Sequence, residues 1–497
     1  MRLLVFATML LIPSVAQAEW LEASSDHFVV YADDSEKDIR FFSDQLERYH
    51  AAMALLTGKQ LPAPSPSNRV TVYVVRNDRE VRKLYDGNDK YVAGFYLPRA
   101  GGSLAIVPRV QAGSGEVEFS MVVLLHEYAH HFMYSTSSFP VPRWLSEGTA
   151  EFFASASFER DGTVWVGRPA QHRAAEIFLA DDVTAEELLD PDAYDNEARK
   201  HYDAYYGKAW LLYHFLTFDE ARKGQLGRYI DGLVAGKASR EAALAAFGEF
   251  KQIDKDLRAY LRKRRVLAFE LGPKLIKSGP VAIRRLTAGE EAMMPVRIQS
   301  RVGVDAEQAD ALVVDAREIA AQYPGNAAVL ASLAEAEFDS GNPEAALKAA
   351  DAALAIDPKR VNAWVQKGYA MFELAAGADD PVKAFEQARD PFLALNKLEY
   401  DHPIPLIYFY RTFAEMGRAP TQNAKDGLEW GSQLAPFDLG LRMNVAQMMM
   451  RDGRYKAARF NLTPIAYNPH GGGLAETARA LLASIEGEPD RESQHDE

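Results

Sequence analysis

The chain has 497 residues, 48% hydrophobic and 25% charged, a globular composition with room for two or three packed domains that excludes disorder as the main theme. A formal net charge of −14 repels phosphate backbones and argues against nucleic acid as a partner. There is no cysteine, which excludes a disulfide framework and a lipid-bearing cysteine, so stability must come from packed cores or from a metal.

Residues 1–18 read as a signal peptide. Arg2 supplies a positive start, residues 3–15 a short apolar run broken by Pro13, and Ala16-Gln17-Ala18 a small-x-small cleavage site. Cleavage would leave Glu19 first and predicts an exported protein, periplasmic or secreted. A run of about 13 apolar residues falls short of the roughly 20 that span a bilayer, and no later segment is longer, so no transmembrane segment is expected in the mature chain.

From 19 to 272, β-type runs (His27-Phe28-Val29-Val30-Tyr31 and Val70-Thr71-Val72-Tyr73-Val74-Val75) mix with helical stretches such as residues 36–56, which predicts an α+β domain. Phe95-Tyr96-Leu97, a Pro-Arg-Ala-Gly-Gly turn and Ser103-Leu104-Ala105-Ile106-Val107 read as a hairpin. An apolar helical segment follows, carrying His126-Glu127-Tyr128-Ala129-His130. Histidines at i and i+4 share one helical face and can grip one ion, while Glu127 projects beside it, the position of a general base for a metal-activated water. The pair needs a third ligand.

Trp144-Leu145-Ser146-Glu147-Gly148-Thr149-Ala150-Glu151 offers one, on a second helix that Pro142 can start, with two acids again at i and i+4. The bland reading of these acids is a solvated face. With the upstream histidines, however, the segment resembles the gluzincin zinc metallopeptidases, most closely the peptidase MA-like group, which shares a Trp-Leu-x-Glu-Gly-x-Ala-Glu stretch. The resemblance covers about residues 20–265 and is most specific over 124–153. It implies Zn2+ as cofactor, His126, His130 and Glu147 as ligands, and Glu151 as the acid that holds a liganding histidine, His126, by its distal nitrogen. Tyr205-Tyr206-Gly207-Lys208-Ala209 looks like the Tyr-x-Lys-Gly/Ala stretch of the gluzincin aminopeptidases. That likeness makes Tyr206 the oxyanion donor, with Tyr205 the runner-up and aromatic core packing the alternative. It further implies that the strand with Leu104, Ala105 and Ile106 is the sheet edge that pairs with an extended substrate. His131, His201 and His214 are read as structural.

Breakers at Gly279-Pro280 and Gly289 predict a connector over 273–304, and a chain ending near Gly272 is expected to fold alone. From 305 to 485 the sequence is Ala- and Leu-rich and helical. Pro324 and Pro358 lie 34 residues apart and Pro436 and Pro469 33 apart, the period of a helix-turn-helix solenoid. Ala346, Ala353, Trp364 and Gly368 at the expected spacings resemble a degenerate tetratricopeptide array, with an insertion over 375–403. An Ala-rich helical bundle is the alternative. Residues 486–497 read as a charged, frayed tail.

The expected function is an exported zinc metallopeptidase. Glu127 serves as base and Tyr206 as oxyanion donor, the substrates are oligopeptides or proteins, and the repeats bind a protein partner or substrate. Two other readings stay open: a catalytically idle envelope scaffold acting through its repeats, and an exported binding module that its peptidase domain only regulates.

Overall fold

The computed structural model describes residues 20–61, 63–85, 92–109, 115–137, 139–195, 202–468 and 472–491. The signal-peptide reading and His201 lie outside them.

Two sheets organise the first part. The larger has six strands, β1 (Trp20–Ser24), β2 (Phe28–Asp33), β3 (Val70–Val75), β4 (Phe95–Leu97), β5 (Leu104–Pro108) and β10 (Ala282–Arg285), in the order β10-β1-β2-β3-β5-β4. The β2–β3 and β3–β5 pairs are parallel and the rest antiparallel. The smaller consists of β6 (Gly115–Glu116), β7 (Ser157–Phe158), β8 (Val164–Val166) and β9 (Phe269–Leu271), in that order.

The central strands are apolar on both faces because both are covered. Side chains alternate along a strand. Phe28, Val30 and Ala32 therefore join one core with Val72, Ala105 and Val107, and Val29 and Tyr31 join another with Tyr73, Leu104 and Ile106. Helices α1 (Glu36–Thr57) and α3 (Phe119–Thr136) cover the first face, α4 (Arg143–Ala154) packs on α3, and α8 (Tyr205–Phe218) packs on α4. The shorter helices α2 (Asp78–Leu84), α5 (Ala174–Leu179), α6 (Ala185–Leu189) and α7 (Pro191–Asp195) lie between them in sequence, and α9 (Gln225–Val234), α10 (Ser239–Phe247) and α11 (Phe250–Tyr260) follow. Helix α1 starts at Ser35, whose hydroxyl accepts the Asp38 N–H, and stops at Gly58 in the left-handed conformation, φ 65°.

Residues 273–304, expected to be a connector, instead hold β10 and α12 (Ala288–Val302). Strand β10 extends the main sheet beyond β1, and α12 lays Met294 and Ile298 on its second face. Gly279-Pro280 ends one element and does not uncouple two bodies.

The remainder is helical: α13 (Ala306–Gln322), α14 (Ala327–Asp339), α15 (Pro343–Ile356), α16 (Val361–Ala376), α17 (Pro381–Gln387), α18 (Asp390–Leu398), α19 (Pro403–Glu415), α20 (Gln422–Leu434), α21 (Leu439–Arg451), α22 (Tyr455–Ala466) and α23 (Gly472–Ser484). Buried alanines, among them Ala334, Ala350, Ala353 and Ala363, let neighbouring helices approach closely. Gly368 goes further, since a Cβ there would meet the Phe392 ring at 2.4 Å. The expected insertion over 375–403 holds the short helices α17 and α18. In the expected frayed tail, residues 486–491 are pinned: the Arg491 N–H donates to Gly453 O (3.0 Å) and Asp490 accepts the Lys456 N–H (2.7 Å). Among the described residues no helix is long and apolar enough to cross a membrane.

Candidate metal centre

Helix α3 is buried along most of its length, and its one-turn spacing sets His126 and His130 side by side with their Nε2 atoms 3.1 Å apart. Helix α4 crosses beside it and delivers Glu147, whose Oε2 lies 3.4 Å from each of those nitrogens. Zinc bound at ~2.0–2.1 Å in tetrahedral geometry requires ligand atoms roughly 3.3 Å apart, so this triangle fits one face of such a site. Glu147 is 1% exposed, and its Oε2 is buried without a hydrogen-bond partner, as suits an atom reserved for an ion. Burial favours a protonated Glu147, but the two imidazoles overcome it and hold the carboxyl well below the usual range. Burial likewise pushes His126 down, yet Glu151 and Glu147 raise it to about 10; a cation in the triangle would replace that proton. Among the described residues, this is the group of histidine and acidic side chains whose ligand atoms converge on one point.

The outer nitrogens are also held. His126 Nδ1 is 3.1 Å from Glu151 Oε1 and His130 Nδ1 is 3.0 Å from Ser146 Oγ, which turns both Nε2 atoms inward. Glu151, 0% exposed, is gripped in turn by His172 Nε2 (2.6 Å) and Arg173 Nε (2.9 Å). Burial opposes its charge, but His126, His172 and Arg173 hold its carboxyl far below the usual range. Ser146, His172 and Arg173 were not singled out from sequence. Ser146 had a signal, since it precedes Glu147 on the same helix; His172 and Arg173 sit on a 3-10 turn some twenty residues beyond Glu151 with no motif around them.

Helix α8 packs tightly on α4 because of Gly148, where a Cβ would meet Ala209 O at 2.6 Å. This contact brings the Tyr206 ring to 6.3 Å from the His126 ring, half-buried, with the Arg173 guanidinium 4.8 Å from its centre. Burial and Glu147 raise its hydroxyl pKa, so it stays protonated. Tyr205 points into the core, 3% exposed, beneath Arg143 and against Tyr194.

Glu127 stands off the ligand triangle and lines a cavity of ≈ 500 Å³ with His130, Glu147, Phe95 and Tyr96. Leu104, Ala105 and Ile106, expected to bind substrate, do not line it. They are 2%, 1% and 0% exposed, on a strand paired on both sides, by β3 and β4, so its backbone has no edge to offer. The edge is β4. His131 binds the Tyr96 hydroxyl (2.7 Å), and His214 Nε2 lies 3.0 Å from both Gly167 O and Leu267 O, so both serve packing.

A family described as protein of unknown function (DUF1570) matches residues 120–233, a span that contains all of His126, Glu127, His130, Glu147, Glu151 and Tyr206, and a tetratricopeptide repeat family matches residues 327–371. No curated protein matches. Similar solved structures include TTC0263, a thermophilic tetratricopeptide-repeat protein of Thermus thermophilus, at 16% identity over 39% of this chain and 100% of that one, with a TM-score of 0.34. MamA is another, at 14% identity over 40% and 98%, with a TM-score of 0.27. The tetratricopeptide-like region rests on the matched segment, 327–371, and its helices α14, α15 and α16. The chain therefore combines a mixed α+β part with a C-terminal tetratricopeptide-like helical region.

Proposed function

We propose that the protein is an exported zinc metallopeptidase of gluzincin type, with its hydrolytic domain over 19–272 completed by β10 and α12. One observation carries this reading: a ligand triangle of tetrahedral dimensions with a free-standing carboxylate, Glu127, beside it. Zinc held by His126, His130 and Glu147 would supply Lewis acidity and lower the pKa of a water. Glu127 then takes the proton of the attacking water and hands it to the leaving amine. The Tyr206 hydroxyl, kept protonated by burial, donates to the developing oxyanion, and Glu151 keeps His126 in the tautomer with Nε2 free. An extended peptide or protein substrate pairs with β4, a reading supported by that strand's position at the end of the sheet.

The tetratricopeptide match supports protein–protein interaction through the repeats, and nothing in the comparisons speaks for hydrolysis. That favours a second reading, an envelope scaffold that works through its repeats. The two separate cleanly. The hydrolase reading expects about one zinc per chain, hydrolysis of a mixed peptide library that chelators abolish and zinc restores, a Glu127→Gln variant that keeps zinc but loses turnover by orders of magnitude, and a Glu147→Ala variant that loses zinc itself. A zinc-loaded chain that cleaves nothing would leave the scaffold.

A further inference from the structure

The cavity beside Glu127 is not made by the α+β part alone. Phe437, Leu439 and Leu474 from the C-terminal helical region line it together with Phe95, Val123 and Tyr134. No lysine or arginine is among the described residues that line it, and its carboxylates are Glu127 and Glu147. The wall is fixed in place. Phe437, 4% exposed, stacks on His131, the residue after His130, with centroids 4.2 Å apart. Asp438 caps α21 by accepting the Leu441 N–H (2.9 Å) and with its other oxygen accepts the Ala100 N–H (2.9 Å) from the turn between β4 and β5. In that turn Gly101 has φ +71°, and a Cβ on it would meet His402 at 2.9 Å. Tyr134, on α3 one turn past His130, packs into the core of the last helices.

Resting on the hydrolase reading, we propose that the C-terminal repeat helices build a substrate side-chain subsite. A polypeptide extended along β4 places a leucine- or phenylalanine-sized residue against Phe437, Leu439 and Leu474, next to the bond attacked at Glu127. The size suits such a guest, since ≈ 500 Å³ accommodates a short peptide segment and not a folded partner. The chemistry selects it as well: apolar walls reward a buried apolar side chain, whereas an acidic one would be desolvated with no lysine or arginine among the described lining residues to pair with it. The repeats thus act in substrate choice at the site itself, in addition to any partner they hold elsewhere.

The test uses full-length Glu127→Gln, which leaves peptides intact, with and without zinc. Its affinity is measured for peptides that differ at one position, carrying Leu, Ala or Asp, with that position moved along the peptide. At one position Leu should bind roughly 10- to 100-fold tighter than Ala, with Asp weaker still. Leu439→Ala and, separately, Phe437→Leu, which keeps an apolar contact on His131 and so protects the fold, should each cut the Leu-over-Ala ratio by about fivefold or more. No binding, equal affinities at every position, or a ratio that neither variant moves would overturn the subsite. Turnover by the unmodified chain is a separate readout: the expected ratio without cleavage supports the subsite and sinks the hydrolase reading.

Discussion

Ending the chain at Gly272 removes β10 and α12 together, and the cost can be read from what they cover. Met294 and Ile298 on α12 are 0% and 5% exposed against Val29, Tyr31, Tyr73 and Ile106, and Leu286, 6% exposed, follows β10 into the same core. Burying one such side chain stabilises a fold by about 1.5–3 kcal/mol, so the three contribute about 5–9 kcal/mol. That is comparable to the lower part of the stability range of a typical domain, ~5–15 kcal/mol. A fragment over 19–272 should therefore be insoluble, or bind hydrophobic dye and melt without a cooperative transition. A fragment ending at Gly341 keeps α12 together with α13 and α14, which cover its outer residues Met293 and Val296, and should be soluble and cooperative. Soluble yield, dye binding and circular-dichroism melting of the pair decide it. A soluble 19–272 fragment that melts as sharply as the longer one, and close to it in temperature, would mean that β10 and α12 are not needed for this part to fold.

Glu151→Ala strands the buried groups that converge on its carboxylate and frees His126 Nδ1. It should cost about 3 kcal/mol, the low end for breaking a buried pair because Arg173 remains 25% exposed, and weaken zinc binding about 10- to 100-fold, measured by urea midpoint and by competition with a chelating dye. Stability should also fall in mild acid. Burial lowers His50 to about 3 and His214 and His402 to about 4, from 6.5 unfolded, so these groups impose no penalty above pH 6.5 and a growing one as pH falls below it, when the unfolded chain takes up protons first. Each should cost about 2 kcal/mol by pH 5, and urea midpoints unchanged between pH 8 and pH 5 would contradict this.

What could be read from sequence was what local spacing determines. An i, i+4 pair on a helix has only one geometry, so His126 with His130, and Glu147 with Glu151, could be placed before any fold was known. The Tyr206 assignment follows from a segment likeness, and the apolar residues after it do form a helix. Sheet order was beyond reach, because it depends on pairings between distant segments. The hairpin of β4 and β5 was visible, but which of its strands is the edge follows from β5 meeting β3. The four residues of β10, Ala-Ile-Arg-Arg, are too short and too polar to announce a strand, and the breakers before them look the same whether a linker or a turn follows. Phe437 sits after Pro436, a helix-end mark, and nothing nearby points to His131 three hundred residues earlier. Gly368 was found by its spacing, and its cause, the Phe392 ring, became visible only in three dimensions.

The clasp of β10 on β1 also sets an order of events for the growing chain. Glu22 and Arg284, which pair across it at 2.6 Å, are 262 residues apart. At synthesis rates of ~5–20 residues per second, β1 emerges roughly 13–50 s before its outer neighbour exists. For that interval the backbone of β1 is an open template for any passing strand. It is short, five residues, and carries the charge of Glu22, two features that discourage such pairing until Arg284 arrives to neutralise that charge and complete the sheet.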